Sequence, residues 1–190
     1  YSNPSKSYNN WLHEVLKHGE LNKIEKYTEL ILKIAKDRFN KVDLSYRSVS
    51  TFNLYFIDFL LWKLYNEKIR GNETKFKEGS LEYKIAQNKE LFNTFNFKQL
   101  NSKEHLFPQA SIITINEDVL HSIGNLCLIS TSQNSAGNKE NPSDKKERFK
   151  NDNSSLKRLI MFESFENGIW GEKQIEDHEK EINELINLTN

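Results

Sequence analysis

The sequence predicts an α+β fold that is predominantly helical, with one short strand–strand–helix unit held between helical segments. Apolar residues recur at helical spacing in the first and last thirds of the 190 residues. The middle third instead contains short apolar runs bounded by Gly, Asn and Pro, which are typical of short strands and turns. Hydrophobic residues make up 36% of the chain and aromatic residues 12%, so a core can form and wholesale disorder is not expected.

The first third is predicted to be helical. We expect a short helix over residues 9–17 and a longer amphipathic helix over residues 20–39. Residues 48–67 are apolar on nearly all sides, which predicts the central helix of the core. The polar segment at residues 71–79 has a glycine at each end and predicts a loop.

The middle third is predicted to contain the sheet. FKQL at residues 97–100 and LCLI at residues 126–129 have the composition of short strands, and a Gly-Asn pair just before the second strand indicates a turn. A polar segment at residues 130–150 follows, in which Pro142 indicates the start of a helix. The pattern predicts a strand, a turn, a second strand and a helix that fold back on one another.

The last third is predicted to contain two helices, at residues 154–165 and 170–187, with a turn between them. Seven Lys and Arg against four Asp and Glu give residues 139–158 a charge of +3, whereas two against eight give residues 159–190 a charge of −6. We expect the basic segment to contact a nucleic-acid backbone and the acidic helix to face solvent.

Composition excludes several classes of protein. Lys plus Arg and Asp plus Glu both number 27, so the formal charge is zero and any basic surface must be local. A single Cys excludes an intramolecular disulfide and a cysteine-rich zinc site, and it fits a reducing compartment. No apolar stretch reaches about 18 residues, so no membrane span is expected. Because the chain begins at Tyr1, we expect it to be a domain of a longer protein.

Three short polar motifs in the middle third provide the candidate chemistry. Glu104 and His105 lie at the end of a candidate strand, and Pro108 makes the following segment rigid. Asn125 precedes the second strand and Asn134 follows it. If these elements fold back together, an imidazole that accepts a proton from water lies beside oxygens that can hold a Mg²⁺-like ion, and this ion in turn binds phosphate.

EHLFPQ, SIGNLCLIS and SQN are similar, in this order, to the three parts of HNH (His-Me finger, ββα-metal) nucleases. In particular they resemble the C-terminal domain of GmrSD-like modification-dependent restriction enzymes. The resemblance is strongest over residues 101–146. It implies a ββα-metal (HNH) finger at residues 98–150, embedded in a helical jacket made by an N-terminal helical part at residues 1–97 and C-terminal helices at residues 151–190, all in one compact domain.

The same resemblance implies a role for individual residues. His105 would be the general base, Glu104 and Asn134 the metal ligands, and Asn125 the residue that braces the loop next to His105. Many HNH enzymes carry Asp where this chain has Glu104, and family members commonly carry Arg in the last helix, where this chain has His178. The basic residues expected at the nucleic-acid backbone are Lys139, Lys145, Lys146 and Arg148.

The resemblance also implies a biological setting. The activity would be metal-dependent cutting or nicking of DNA, with Mg²⁺ as the ion and Mn²⁺ as the alternative. The partners would be DNA and an N-terminal sensor or NTPase domain of the same longer protein, with no membrane involved and homo-oligomerisation left open. The setting would be phage defence in the bacterial cytoplasm.

Simpler interpretations stay open at the level of the residues. Asn125 could be only a turn residue and Asn134 only a helix cap. The basic run at residues 145–150 is commonly a solvated helix face, and His121 is the other histidine near the motifs that could contribute. The chain could also be a non-catalytic module that binds nucleic acid or protein through a degenerate finger, or an RNA-cutting toxin.

Overall fold

The computed structural model describes residues 24–72, 75–137 and 140–188, so the helix predicted at residues 9–17 lies outside the described part. The chain divides into two compact units, residues 1–43 and 44–190. The first unit contains helix α1 (Ile24–Phe39), which coincides with the described part of the predicted amphipathic helix.

The second unit consists mainly of helices and contains one two-stranded sheet. Its elements are α2 (Thr51–Leu64) with a π-helical extension (Tyr65–Ile69), α3 (Leu81–Gln87), α4 (Lys89–Asn93), β1 (Ser102–His105), α5 (Glu117–Leu120), a 3₁₀ turn (Ile123–Asn125), β2 (Leu126–Ile129), α6 (Thr131–Gly137), α7 (Pro142–Phe149), α8 (Leu156–Glu163) and α9 (Glu172–Asn187). The α+β class with predominant helix is therefore confirmed. Among the described residues, no helix is long and apolar enough to cross a membrane.

Helix α2 is the central core helix, as its apolar surface predicts. It contacts α8, α9 and β2. Ser50 and Asn53 form a capping box at its start, in which the Ser50 backbone N–H donates to Asn53 Oδ1 at 2.9 Å. The apolar side chains that it buries almost completely are Leu54, Ile57, Leu60 and Leu61.

The two strands pair antiparallel, with Ser102 opposite Ile129 and His105 opposite Leu126. Strand β2 occupies the predicted residues, and all four of its side chains are buried. Its partner β1 ends at His105, so the candidate base lies at the end of a strand.

The strand predicted at residues 97–100 is wrong, because β1 begins only at Ser102. The Tyr55 hydroxyl of α2 explains the difference. It lies 2.7 Å from the Lys98 carbonyl oxygen and 3.1 Å from that of Leu100, and it accepts the Leu100 N–H. The backbone of this segment therefore bonds to a helix side chain, which leaves it unavailable for a strand ladder.

The Gly-Asn pair does not form a hairpin turn between the strands. Residues 106–125 connect β1 to β2, and Gly124 and Asn125 end this connection in the 3₁₀ turn directly before β2. A Cβ atom on Gly124 would lie 2.3 Å from the Ile175 carbonyl oxygen of α9. The glycine therefore allows the turn to pack directly against the α9 backbone.

The C-terminal helices follow the predicted pattern with shifted ends. Helix α7 begins at the predicted Pro142, but its cap is Asn141, which accepts the Asp144 N–H at 3.0 Å. Ser155 caps α8. Trp170 is buried and precedes α9, whose first residue comes after Gly171.

Candidate active site

A cleft of about 300 Å³ opens beside β1. It brings together Glu104 and His105 from the end of β1, Asn134 from α6 and Lys145 from α7. The complete lining is Tyr46, Lys103, Glu104, His105, Pro108, Gln109, Ala110, Asn134 and Lys145. Polar side chains from three separate elements thus share one cavity.

Lys145 and Glu104 form a buried ion pair in this cleft. The Lys145 ammonium donates to Glu104 Oε1 at 2.5 Å and to the His105 carbonyl oxygen at 2.6 Å. Lys145 is only 2% exposed and Glu104 9%. Lys145 therefore ties α7 to the end of β1, and its charge lies inside the cleft rather than on a solvated helix face.

The His105 ring is buried against two other rings. Its Nε2 lies 3.1 Å from His121 Nδ1, and its centroid lies 4.5 Å from that of Tyr46. Burial lowers the pKa of His105 to about 3, and the nearby His121, Lys145 and Lys103 lower it as well. The imidazole is therefore neutral at neutral pH, which is the form that can accept a proton.

The Asn125 side chain holds the connection between the strands. Its Oδ1 accepts the Phe107 N–H at 2.8 Å and the Trp170 indole N–H at 3.1 Å. Its Nδ2 donates to the carbonyl oxygens of Phe107 at 3.0 Å and Leu120 at 2.9 Å. Asn125 is fully buried, and these bonds fix the segment that leaves β1 two residues after His105, so it is more than a turn residue.

Asn134 lies half-buried on α6 and lines the cleft. The start of α6 is capped by other side chains: the Gln133 N–H donates to Ser130 Oγ at 3.2 Å, and the Ser130 N–H donates to Gln133 Oε1 at 2.9 Å. This reciprocal pair is a capping arrangement. The Asn134 side chain is therefore not the cap of α6.

Among the described residues, the other basic side chains expected at a nucleic acid, Lys146 and Arg148, do not line the cleft. Lys139 lies outside the described residues. The Lys146 ammonium donates to the Phe162 carbonyl oxygen at 2.5 Å, and Arg148 pairs with Glu140 at 3.0 Å. Both side chains are engaged with their own neighbours on the surface around α7.

The basic segment at residues 139–158 does not place all of its basic side chains on the surface. Lys157 and Arg158 are each 1% exposed and lie in the interior. Their helix, α8, starts against α2, where Asp58 Oδ1 accepts the Lys157 backbone N–H at 2.7 Å. Two of the basic side chains of the segment are therefore buried and are not on the surface where a nucleic acid would bind.

Tyr46 and Lys103 also line the cleft, although no sequence motif singled them out. The Lys103 ammonium donates to the carbonyl oxygens of Tyr46 at 2.5 Å and Val49 at 2.8 Å, and burial lowers its pKa. It adds a second ammonium group to the cleft. Tyr46 lies 57 residues before Lys103, and no local pattern marks such a long-range contact.

The oxygen donors in the cleft fit a Mg²⁺-like ion in kind. Glu104 provides a carboxylate and Asn134 an amide, and such ions commonly use one or two protein oxygens together with water and phosphate oxygens. Of the two oxygens of the Glu104 carboxylate, the one that accepts from the Lys145 ammonium is Oε1. No group of three or more His, Cys, Asp or Glu side chains in the described ranges could enclose an ion.

A family model described as "GmrSD restriction endonucleases, C-terminal domain" matches residues 34–185. The matched span includes every residue that lines the cleft. No curated protein and no solved structure matches the chain.

Proposed function

The chain belongs to the family of GmrSD restriction endonuclease C-terminal domains, and from this premise we propose that it is a metal-dependent, HNH-type endonuclease domain that cuts or nicks DNA. The observation that supports this proposal is the cleft shared by His105, Glu104, Asn134 and Lys145. Hydrolysis of a phosphodiester needs a base for water and positive charge at the phosphate, and these side chains can supply both.

His105 is the general base in this proposal. Its Nε2 is occupied by His121, so Nδ1 is the ring nitrogen that remains for water. Since the ring is neutral at neutral pH, its lone pair is available to take a proton from the attacking water. Asn125 supports this step by fixing the segment that follows His105.

Glu104 and Asn134 would hold a divalent ion, Mg²⁺ with Mn²⁺ as the alternative. An ion there stabilises the negative charge that develops on phosphate oxygens. The ammonium groups of Lys145 and Lys103 provide fixed positive charge for the same phosphate. Contacts of this kind carry no sequence information, so recognition of a DNA sequence or modification belongs to another part of the protein.

We place the domain as the effector part of a longer phage-defence enzyme in the bacterial cytoplasm. An N-terminal sensor or NTPase domain would select the DNA, and this domain would cut it. One cleft attacks one strand at a time. A homo-oligomer would present a second cleft to the other strand and convert nicks into double-strand breaks.

The test compares the wild-type chain with His105→Ala on supercoiled plasmid, modified and unmodified, with Mg²⁺ or Mn²⁺. We expect the wild type to nick or linearise the DNA and the variant to be at least about 100-fold slower, because general base catalysis contributes about that much or more. Melting temperatures of both proteins show whether the variant is folded. Equal cleavage by both proteins would remove His105 from the chemistry.

A non-catalytic binding module is the second candidate, and the Glu104–Lys145 pair favours it. An ammonium that already neutralises the carboxylate leaves less negative charge for a metal ion. If the domain is such a module, wild type and His105→Ala would bind DNA with equal affinity at low salt, and neither would cleave it with any divalent ion. Single-stranded RNA in the same assay separates a third candidate, an RNA-cutting toxin.

A further inference from the structure

His105, which lines the cleft, contacts a second imidazole, His121, that the three sequence motifs do not include. His105 Nε2 and His121 Nδ1 lie 3.1 Å apart, within hydrogen-bond distance. The ring planes are 75° apart and the centroids 5.1 Å, so the rings meet edge to face instead of stacking. This orientation allows an N–H of one ring to point at the lone pair of the other.

The backbone around His121 is anchored on two sides. The His121 N–H donates to the Glu117 carbonyl oxygen at 3.1 Å, and the His121 carbonyl oxygen accepts the Tyr46 N–H at 2.7 Å. The Tyr46 ring lies 4.5 Å from the centroid of His105 and 5.8 Å from that of His121. One aromatic side chain therefore packs on both imidazoles.

Asn125 ties together the two segments that carry the imidazoles. It bonds to Phe107, two residues after His105, and to Leu120, the residue just before His121. The relative position of the two rings is therefore set by a fully buried side chain. Their contact is part of the folded architecture.

A hydrogen bond between two neutral imidazoles requires one N–H and one lone pair, so two arrangements exist. If His105 donates from Nε2, both rings carry their proton on Nε2, which is the tautomer that free neutral imidazole side chains favour. If His121 donates from Nδ1, both rings carry it on Nδ1, and His105 then has no lone pair on that atom. The first arrangement is intrinsically favoured, and it frees Nδ1 of His105.

We propose that His121 is a positioning residue of the site. Its Nδ1 accepts the Nε2–H of His105, which fixes the orientation and tautomer of that ring and keeps the Nδ1 lone pair available for water. The effect on cleavage rests on the proposed function. The tautomer itself is a property of the folded domain and can be measured without DNA.

The test uses two substitutions of similar size with opposite chemistry. His121→Leu removes the acceptor, whereas His121→Asn places an amide oxygen near the position of Nδ1 and can accept the same hydrogen bond. The ¹⁵N signals of the ring nitrogens report the tautomer of His105 in the wild type and in both variants, with His105→Ala used for assignment. Plasmid cleavage and melting temperature are measured on the same samples.

We expect His105 to be the Nε2–H tautomer in the wild type and in His121→Asn, and a mixture of tautomers in His121→Leu. Cleavage should fall about 10- to 100-fold in His121→Leu, the loss that is common when a partner that orients a histidine of an active site is removed, and recover in His121→Asn. An Nδ1–H tautomer in the wild type would overturn the proposal, as would an unchanged tautomer in His121→Leu. If the tautomers behave as expected but no DNA is cut, the proposed function fails and the positioning of His105 by His121 stands.

Discussion

Single residues in this fold carry roles that their sequence neighbourhood does not reveal. Asn125 follows a glycine and resembles a turn residue, yet its side chain forms four hydrogen bonds in the interior. The partners come from both ends of the connection between the strands and from Trp170. A single amide therefore holds together three segments around the cleft.

Asn125→Ala is expected to lower the free energy of unfolding by about 3 kcal/mol or more, since each buried polar group left without a partner costs about 1–3 kcal/mol. Urea unfolding measures this loss. Asn116→Ala is the matched control, because Asn116 is an exposed cap whose side chain accepts the Asp118 N–H. We expect the control to lose about 1 kcal/mol or less. Similar losses in the two variants would show that the Asn125 network contributes little.

The sequence contained enough information to select the main residues of the cleft but not their partners. Glu104, His105 and Asn134 stand in motifs with recognisable order, and they line one cavity. Tyr46 and Lys103 line it as well, through contacts that join distant parts of the chain. A local pattern cannot encode such contacts, and the catalytic and ligand roles of the motif residues remain predictions.

At the scale of elements, the sequence predicted those whose pattern is complete within a few residues. Strand β2 and helix α2 follow directly from their apolar composition and form where expected. Strand β1 was misplaced because the backbone just before it bonds to the Tyr55 hydroxyl, more than 40 residues away. Interactions between elements, rather than propensity, decide where such a short strand begins.

Gly124→Ala tests how closely the 3₁₀ turn approaches α9. The added Cβ would lie 2.3 Å from the Ile175 carbonyl oxygen and 3.0 Å from the Glu179 Cβ, so the turn or the helix must move. We expect a loss of about 1–3 kcal/mol in the free energy of unfolding, typical of overpacking. We also expect a shifted NMR signal for the Trp170 indole N–H, because its acceptor, Asn125, follows the substituted residue.

Gly171→Ala is the control for this substitution. Gly171 precedes α9, and apart from its two chain neighbours the nearest described atom to a Cβ there would be Gln174 Oε1, at 3.7 Å. The control should lose well under 1 kcal/mol and leave the indole signal in place. If Gly124→Ala behaves like the control, the packing of the turn on α9 is looser than the structure indicates.

At the scale of the whole molecule, the interior contains several ionisable groups where α2, α8 and α9 meet. Burial raises the pKa of Asp58 to about 7 and lowers those of Lys157 to about 8 and His178 to about 4. Each shift makes stability depend on pH, because the folded and unfolded chains bind different numbers of protons. Because of His178, the free energy of unfolding decreases as pH falls from about 6.5 towards 4. Because of Asp58, it decreases as pH rises from about 4 towards 7.

Lys157 makes the clearest contribution to this dependence of stability on pH. Its folded pKa of about 8 lies below the value of about 10.5 in the unfolded chain. Between these values the unfolded chain holds a proton that the folded chain lacks, so stability rises with pH. At about 1.4 kcal/mol per unit, the rise amounts to about 3 kcal/mol. Below pH 8 the buried ammonium therefore lowers the free energy of unfolding by this whole amount, which is its desolvation penalty.

Lys157→Met should remove that penalty. Among the described residues, the Lys157 ammonium contacts only Met161 Sδ, at 3.6 Å, and the backbone N–H that bonds to Asp58 is retained in the variant. We expect the free energy of unfolding of the variant to exceed that of the wild type by up to about 3 kcal/mol at pH 7. This difference should vanish near pH 10.5. Urea unfolding at several pH values measures it, with the exposed Lys150→Met as a control that should leave the profile unchanged. Only a desolvated ammonium makes the free energy of unfolding rise between pH 8 and 10.5. If the free energy of unfolding depends on pH in the same way in the wild type and in Lys157→Met, the ammonium is solvated in the folded protein.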